Sequence, residues 1–456
     1  MTSFDVGVIG GGSAANTLVA AVARHGWSSV VFEPKLVGGE CPYTACIPSK
    51  SMLHDAALGR SWDAAVRRRD ELTAHRDDTG HADELASHGA TLVRARARIG
   101  GAGTIVADGR EYGVRHVVVA TGSEPIIPQL DGDALATRGA PASPVWTSED
   151  ALTAAHRPDR IVIVGAGVIG CELATIFARF GTSVTLVGDE PSLFGDLVPE
   201  VGDIVAASLR DGGVRIVLGR TVRRADIDGV GVCAQLDDGT TVRADRLLLA
   251  VGKRARVDGI GLDTVGVQRP EDADVDVTGR LRCTGSVWAI GDAAGRGQYT
   301  HLANHHARVV AANLLATDAE GPPDGEPARR FDDAVLTRCT FTDPPVMEVG
   351  PTRTELAGDV DIAWVTVRLD EVPRSATDEL GPGLLAMAGR RSTGLVVAAH
   401  GVGQRVDELS HTVALAIDGR VPLDVLHRQM YAFPTVGEVV GVAAGRLAGE
   451  LSAGGE

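Results

Sequence analysis

Two stretches of the chain alternate apolar runs with glycine turns in the same order. Residues 4–34 read FDVGVIGGGSAANTLVAAVARHGWSSVVFEP, which predicts a short strand, a glycine-rich turn, a helix of small and apolar residues, and a second strand. Residues 160–190 read RIVIVGAGVIGCELATIFARFGTSVTLVGDE and repeat that order at the same spacing. The pattern predicts two βαβ units in an α/β fold.

The turns of the two units carry small residues at matching positions. Gly10, Gly12 and Ala15 in the first unit correspond to Gly165, Gly167 and Gly170 in the second. One such fingerprint is weak evidence, since glycines also form ordinary turns. Here each copy follows a strand and opens a helix, which favours two dinucleotide-binding folds. A pyrophosphate would approach the second glycine and lie at the helix amino terminus.

The remaining pattern predicts a ligand crevice and a further domain. Residues 55–110 read as an Ala/Arg-rich helical excursion followed by short strands. Later strands end at Thr121–Gly122, Gly252 and Asp292, and such turns place ligand crevices at the carboxyl ends of parallel strands. From about residue 329 alternating strands mix with helices, which predicts an α+β domain. Residues 316–330, ATDAEGPPDGEPARR, read as a polar linker into it.

Length and charge narrow the classes of function. A chain of 456 residues predicts several hydrophobic cores. Its 60 acidic and 44 basic side chains give a net charge of -16, which argues against nucleic acid and anionic membrane surfaces as partners. No apolar run reaches the roughly 18 residues that a bilayer span needs, and the amino terminus lacks a basic segment typical of secretion signals. We therefore expect a soluble, cytoplasmic protein.

The cysteines point to one chemically informative segment. Residues 38–50 read GGECPYTACIPSK, with Cys41 and Cys46 close together, whereas the other four cysteines are dispersed. A zinc site needs about four ligands, and no second pair at metal spacing follows. A structural bridge is improbable in a reducing compartment, which leaves a redox pair as the favoured interpretation. Five helical residues rise about 7.5 Å, so a bond between the pair needs Cys41 on an unwound turn, as Pro42 suggests.

These features together resemble the flavoprotein disulfide reductases, which include dihydrolipoamide dehydrogenase and mercuric reductase. The resemblance rests on GGECPYTACIPSK, ATGSEPIIP, GAGVIGCELA, AIGDAAG, FTDPPVMEVG and YAFPTVGE, in that order along the chain. It implies a homodimer with FAD on the first fold and NADH or NADPH on the second. The implied domains are 1–152 with 281–328 for FAD, 153–280 for NAD(P), and 329–456 for dimerisation.

The resemblance also implies roles for individual residues. Glu33 would bind the adenosine ribose of FAD, Asp292 the ribityl chain, and Lys50, paired with Glu172, would lie near the flavin ring. Lys50 follows Cys46 by four residues, so both lie on one helical face. Further cofactor-binding positions are Gly10, Gly12, Ala15, Gly39, Thr121 and Gly122 for FAD, and Gly165, Gly167, Gly170, Asp189 and Gly252 for the nicotinamide nucleotide.

The implied reaction uses the cysteine pair in a fixed order. A hydride passes from NAD(P)H to FAD, electrons reach the disulfide through Cys46, and Cys41 attacks an external substrate. Cys46 remains as a thiolate against the flavin. A nearby lysine and helix start are expected to lower its pKa.

The second fingerprint departs from an ordinary NAD site. The ribose-binding carboxylate is expected 23 residues after the first glycine, which is Glu33 in the first unit but Gly188 in the second. Asp189 and Glu190 follow, and the segment GDEPSLFGD contains no Arg or Lys for a 2'-phosphate. The charges therefore favour NADH over NADPH.

The chain also departs from the family pattern at the residues expected to transfer protons. The resemblance predicts HxHPTxxE near the carboxyl end, where this chain has YAFPTVGE, with Tyr431 and Phe433 at the histidine positions and Glu438 retained. Phe433 cannot transfer a proton, so reduction of small disulfides should be slow unless Tyr431, water or the substrate substitutes. A carboxylating branch, the 2-ketopropyl-coenzyme M oxidoreductase/carboxylases, also places Phe here. Simple packing of Phe433 at the dimer interface is an equally open interpretation.

The sequence thus predicts an FAD-dependent NAD(P)H:disulfide oxidoreductase acting on a small sulfur-containing substrate. Its active site would be completed by the partner subunit. One alternative is reductive C–S cleavage or carboxylation chemistry that requires Phe433. The other is a non-catalytic redox sensor in which the flavin and the thiols report on the nucleotide pool.

Overall fold

The computed structural model describes residues 3–229, 231–269, 274–318 and 329–453. The chain forms two compact units: residues 1–51, 64–126 and 252–333 make the first, and residues 52–63, 127–251 and 334–456 make the second. Among the described residues, every helix is too short or too polar to span a bilayer.

The first 126 residues contain the predicted βαβ unit and the helical excursion. Strands β1 and β2 run parallel, with Val8 opposite Val31, and β1 also pairs in parallel with β6. The elements are β1 Ser3–Ile9, α1 Ser13–Ala23, β2 Ser29–Phe32, α2 Glu40–Tyr43, α3 Cys46–Ala57, α4 Trp62–Leu72, α5 Thr79–Ser87, β3 Thr91–Val93, β4 Ala97–Gly101, β5 Thr104–Ala107, β6 Arg110–Val119 and β7 Ser123–Pro125.

Residues 127–251 contain the second βαβ unit. A five-stranded sheet has the order β11-β10-β9-β15-β8, and a three-stranded antiparallel sheet has the order β12-β13-β14. The elements are β8 Val145–Trp146, α6 Ser148–Thr153, β9 Arg160–Val164, α7 Val168–Arg179, β10 Ser183–Val187, α8 Pro199–Asp211, β11 Arg215–Val217, β12 Val222–Asp228, β13 Gly231–Leu236, β14 Thr241–Ala244 and β15 Arg246–Leu249.

The last 200 residues complete the first sheet and form the predicted α+β region. An antiparallel sheet of order β19-β20-β23-β22-β21 is covered by α11 and α13. The elements are β16 Lys253–Ala255, β17 Arg282–Thr284, β18 Val287–Ala289, α9 Thr300–Asp318, β19 Thr337–Thr340, β20 Val346–Val349, β21 Ile362–Arg368, α10 Pro373–Thr377, β22 Leu384–Arg390, β23 Leu395–Val402, α11 Val406–Asp418, α12 Leu423–Arg428 and α13 Glu438–Ala453.

The first unit is organised around an eight-stranded sheet of order β17-β18-β6-β1-β2-β3, in which β5 also pairs with β6 and β4 pairs with β5. Its parallel strands are buried on both faces and read as continuous apolar runs, as sheets covered by helices do. Val6, Val8, Val118 and Val119 have no exposed surface. The carboxyl ends of β1, β6 and β18 therefore lie side by side at one edge of the sheet.

The α/β prediction is confirmed, while the domain limits stay a prediction. Residues 252–280 were assigned to the nucleotide domain, yet Val257, Ile260 and Val275 pack into the core of the first unit. The predicted linker 316–330 begins inside α9, which continues to Asp318, and residues 319–328 lie outside the described ranges.

Candidate active site

The first glycine turn is shaped to receive a phosphate. Gly10 has φ +108°, and a Cβ there would lie 2.2 Å from the Ala120 carbonyl oxygen, so the tight turn requires glycine. Gly12 opens α1, and a Cβ on it would meet only Gly39 Cα, at 3.9 Å. This open space at a helix amino terminus fits a pyrophosphate. The buried Ala15 lets α1 pack closely on the sheet.

Glu33 and the strand ends supply polar groups around that turn. Glu33 lies just after β2, and its carboxylate accepts hydrogen bonds from the Gly11 and Lys35 amides, at 2.8 and 2.7 Å. Asp292 is largely buried and accepts a 2.6 Å hydrogen bond from the Ser123 hydroxyl. Burial raises the pKa of Asp292, whereas Ser123 and the charge of Lys253 oppose that rise.

The residues present fit FAD, the group that the resemblance implies. Thr121 Oγ1 is a buried oxygen with no hydrogen-bond partner among the described residues, and buried polar atoms normally have one. It stands in the same strand-end turn as Gly122, which has φ +71°. A bound nucleotide would satisfy this atom, and the glycine turns leave room for it.

The cysteine pair lies on two successive helices separated by a break. Cys41 is in the one-turn helix α2, and Cys46 is the first residue of α3. Between them Thr44 leaves the helical region with φ -135°, which is the unwound turn that the sequence predicted. Both residues are thiols, hydrogen-bonded to each other, and Cys46 Sγ lies 3.5 Å from Thr300 Oγ1 at the start of α9.

The two thiols differ sharply in acidity. The hydrogen bond from Cys41 lowers the pKa of Cys46 to about 6, against the opposing effect of burial, and Thr300 and the positive charge of Lys50 add to the lowering. The same hydrogen bond and burial raise the pKa of Cys41 well above that of an ordinary thiol. Of the two sulfurs, Cys46 is therefore the one that more readily carries the negative charge.

We expect the Cys46 thiolate of the reduced protein to persist at neutral pH and to disappear as the pH falls through about 6. The deprotonated form is the stabilised one, so acidification removes this contribution to native stability. Ultraviolet thiolate absorbance, recorded against pH with Cys46→Ser as the blank, measures the midpoint. A midpoint at the ordinary thiol value of about 8.5 would contradict the geometry.

The second glycine turn repeats the geometry of the first. Gly165 has φ +108°, and its Cβ would lie 2.3 Å from the Ala250 carbonyl oxygen, while a Cβ on Gly170 would lie 1.9 Å from the Gly165 oxygen. A Cβ on Gly167 would have no described atom within 4 Å, which leaves space for a phosphate. Gly252, after β15, has φ +113°.

The position of the missing ribose carboxylate has a cation beside it. The Arg220 amide donates to the Gly188 carbonyl oxygen at 3.0 Å, which brings Arg220 next to the end of β10. Its guanidinium lies 3.9 Å from Asp237 and 3.4 Å from Asp238. Asp189 is exposed. Sequence reasoning missed Arg220 because it follows β11, some thirty residues beyond Gly188.

The carboxyl-terminal motif has no group poised for proton transfer in this subunit. Phe433 is 74% exposed. The Tyr431 hydroxyl donates to the Leu426 carbonyl oxygen at 3.0 Å, and burial raises the pKa of Tyr431. Glu438 opens α13 and accepts a hydrogen bond from the Thr435 amide at 3.0 Å. The retained glutamate therefore caps a helix where the resemblance would have it hold a histidine.

Lys50 and Glu172 lie in different compact units, and their pairing stays a prediction. Lys50 is on α3 with Cys46, one helical turn away. Glu172 is on α7, is buried, and accepts a 2.9 Å hydrogen bond from the Phe341 amide. Gly39 has φ +74°, and a Cβ on it would lie 3.0 Å from Gly12 Cα in the first glycine turn. Thr300 was not foreseen, since nothing in its sequence context distinguishes it from other helix-opening residues.

Comparisons with known proteins cover almost the whole chain. Residues 4–307 match the family model for pyridine nucleotide-disulphide oxidoreductases, and residues 336–444 match its dimerisation domain. A mercuric reductase of Streptomyces lividans is 29% identical, over 97% of this chain and 96% of that protein. A dihydrolipoyl dehydrogenase of Pseudomonas aeruginosa is 29% identical, over 97% of each.

A solved structure matches the fold closely. The Cu(II) complex of the HOCl-induced flavoprotein disulfide reductase RclA from Escherichia coli superimposes with a TM-score of 0.87. It is 25% identical and covers 98% of this chain and 100% of its own.

Proposed function

The chain belongs to the pyridine nucleotide-disulphide oxidoreductase family, whose members are FAD-dependent enzymes, and from that premise we propose that its physiological acceptor is a small sulfur-containing molecule reduced by Cys41 and Cys46. The observation that carries this proposal is the pair of hydrogen-bonded thiols at the break between α2 and α3, where Cys46 Sγ lies 3.5 Å from Thr300 Oγ1 and Lys50 is on the same helix. The matching dimerisation domain indicates a homodimer.

Residues of the first unit would hold FAD. Residues of the second glycine turn would hold the nicotinamide nucleotide. Gly12 and the start of α1 would receive the FAD pyrophosphate, Glu33 its ribose, and Asp292 with Thr121 the groups nearer the flavin. When bound, FAD passes two electrons from the nicotinamide nucleotide to the thiol pair. The chain itself positions these groups and controls the protons of the thiols.

The thiol pair carries out the exchange with the acceptor. The Cys46 thiolate takes the proton of Cys41, and the Cys41 thiolate then attacks one sulfur of an acceptor disulfide, forming a mixed disulfide and releasing the first thiolate. Cys46 gives that proton to the first released thiolate and then attacks the Cys41 sulfur, which breaks the mixed disulfide, closes the Cys41–Cys46 bond and releases the second thiolate, which takes a proton from solvent. The pair is oxidised by two electrons, and the acceptor is reduced by two. Thr300 and Lys50 stabilise the charge on Cys46.

Steady-state oxidation of NADH with a panel of acceptors tests this function. We expect turnover with small disulfides that is dependent on Cys41. Turnover that is unchanged when both cysteines are replaced, or consumption of CO₂ with a thioether substrate, would contradict it. Consumption of CO₂ would instead support the carboxylating alternative. Stoichiometric flavin reduction without turnover on any acceptor would support the sensor.

Soft metal ions are a second class of acceptor that one observation favours. Release of a thiol from a disulfide is faster when a group can donate a proton to it. Phe433 cannot donate a proton, and the Tyr431 hydroxyl already donates its proton to the Leu426 carbonyl oxygen. Two electrons reduce one Hg²⁺ to Hg⁰ or two Cu²⁺ to Cu⁺, and neither product needs a proton in order to leave. A mercuric reductase is among the relatives. The same panel, with both ions added, distinguishes the two acceptor classes.

We further propose that NADH is the preferred nucleotide, because Arg220 is already paired with Asp237 and Asp238 and Asp189 adds negative charge. The double variant Asp237→Asn/Asp238→Asn should release Arg220 for a 2'-phosphate. Since each exposed pair is worth up to about 1 kcal/mol, affinity for 2',5'-ADP should rise about 3- to 10-fold.

Calorimetry with 2',5'-ADP and 5'-ADP measures that change. The matched control, Asp226→Asn/Asp228→Asn, removes the same charge from β12 of the same three-stranded sheet. Unchanged affinity for 2',5'-ADP in the first variant, or a strong NADPH preference of the unmodified protein, would refute this choice of nucleotide.

A further inference from the structure

An ion pair joins the residue before Cys41 to a strand of the same unit. Glu40 is the first residue of α2, and its carboxylate pairs with Lys253 Nζ and lies 3.5 Å from the Arg256 guanidinium. The Lys253 side chain is only 14% exposed, so solvent screens this contact less than an ordinary surface pair. This contact was not predictable from the sequence, since 213 residues separate the two partners.

Lys253 is fixed on a stiff element. It opens β16, which pairs with β7 in antiparallel register, Lys253 opposite Pro125. The Lys253 carbonyl oxygen accepts a 2.8 Å hydrogen bond from the Gln298 side chain. Glu124 of β7 pairs with Arg254 of β16 at 3.0 Å and with Arg256, just after that strand, at 3.7 Å. These contacts hold the backbone that carries the Lys253 side chain.

Helix α2, by contrast, cannot hold Cys41 in place by its own hydrogen bonds. It has four residues, and a single helical turn is unstable in isolation because the cost of nucleation is not repaid. Two glycines with positive φ, Gly38 and Gly39, precede it, and Thr44 breaks it. Contacts with other elements must therefore fix the position of the Cys41 sulfur.

We propose that Glu40 is a positioning residue for the thiol pair: its ion pair with Lys253 holds α2 so that Cys41 stays within hydrogen-bond reach of Cys46. The inference builds on the proposed function, in which Cys41 attacks and Cys46 holds the negative charge. Loss of the ion pair would free α2, lengthen the contact between the thiols, and remove the hydrogen bond that chiefly stabilises the Cys46 thiolate.

The variant Glu40→Gln distinguishes a positioning role of Glu40 from a direct effect of its charge on the Cys46 thiolate. Removing a nearby carboxylate would, through the electric field alone, make the Cys46 thiolate easier to form and lower its titration midpoint. Loss of positioning has the opposite sign, since the thiolate loses its hydrogen-bond donor. We therefore expect the midpoint of Glu40→Gln to move upward by about one pH unit, which is a roughly tenfold lower ratio of thiolate to thiol at a given pH.

The experiment follows the thiolate-to-flavin absorbance of the two-electron-reduced holoenzyme against pH. Lys253→Met should shift the midpoint in the same direction as Glu40→Gln, and Lys253→Arg should retain the original value. Glu124→Gln, which removes an equal charge from the same network without touching α2, is the control, and its midpoint should stay the same or fall slightly, as the electric field alone requires. Thermal unfolding and circular dichroism verify that each variant is folded.

A downward or unchanged midpoint in Glu40→Gln would overturn the positioning role. Failure of the proposed function appears differently, as absence of the absorbance band in the unmodified protein. In that case the ultraviolet absorbance of the thiolate gives the midpoints, and the same comparison of Glu40→Gln with Glu124→Gln still decides the role of Glu40.

Discussion

Replacing Cys41 with serine is expected to lower turnover with a small disulfide by on the order of 10³ or more. The serine hydroxyl is a far weaker nucleophile than the thiolate that attacks the acceptor. Cys46 keeps the Thr300 hydroxyl and the positive charge of Lys50, so its thiolate should survive. The variant should therefore show the thiolate-to-flavin absorbance before any reductant is added, and NADH should still bleach the flavin.

Cys339→Ser is the matched control for this variant. Cys339 is a thiol of the second unit, and burial raises its pKa to about 11, so it is chemically inert at neutral pH. Steady-state NADH oxidation with the disulfide should be unaffected by that change. If Cys41→Ser retains more than about a tenth of the activity, Cys41 is not the attacking group.

Phe433→His is expected to raise turnover with small disulfides by on the order of 10- to 100-fold. A histidine at this position could protonate the leaving thiolate at the partner subunit's cysteines. The gain should lie below the full range for acid–base catalysis because Glu438 is engaged with the Thr435 amide and must be recruited to hold the imidazole. The pH profile should acquire a new dependence near the pKa of histidine, about 6.5.

The variant Phe433→Leu distinguishes the effect of a missing proton donor at this position from the effect of side-chain packing. Leucine keeps an apolar side chain at a position that is 74% exposed within one subunit, and it should leave disulfide turnover unchanged. Reduction of soft metal ions should be insensitive to Phe433→His. Equal rates for the histidine and leucine variants would mean that no proton donor is missing at this position.

The fold was predictable because its signals are local. Two repeats of strand, glycine turn and helix, each about thirty residues long, specify where the parallel sheets begin. Gly10 and Gly165 are glycine for a steric reason visible in any single copy of the turn. The break between Cys41 and Cys46 followed from a distance that an ideal helix cannot meet.

The lowered pKa of Cys46 beside Lys50 was predicted from the sequence, but the other electrostatic contacts of the site were not, because they join distant segments. Thr300 approaches Cys46 across 254 residues, and Lys253 approaches Glu40 across 213. Arg220 lies beside Gly188 only because β10 and β11 are neighbours in the sheet. Glu438 is retained in the motif, and the motif alone does not show that its carboxylate caps a helix. Each is a consequence of tertiary packing.

Anaerobic titration of the purified protein with NADH tests the central claim most directly, since it asks whether the thiol pair and the flavin exchange electrons. The account predicts a yellow protein that, after two electrons, shows a long-wavelength absorbance band from the Cys46 thiolate beside oxidised flavin, lost as the pH falls through about 6. A protein without flavin would contradict the account, as would bleaching of the flavin at two electrons without the band.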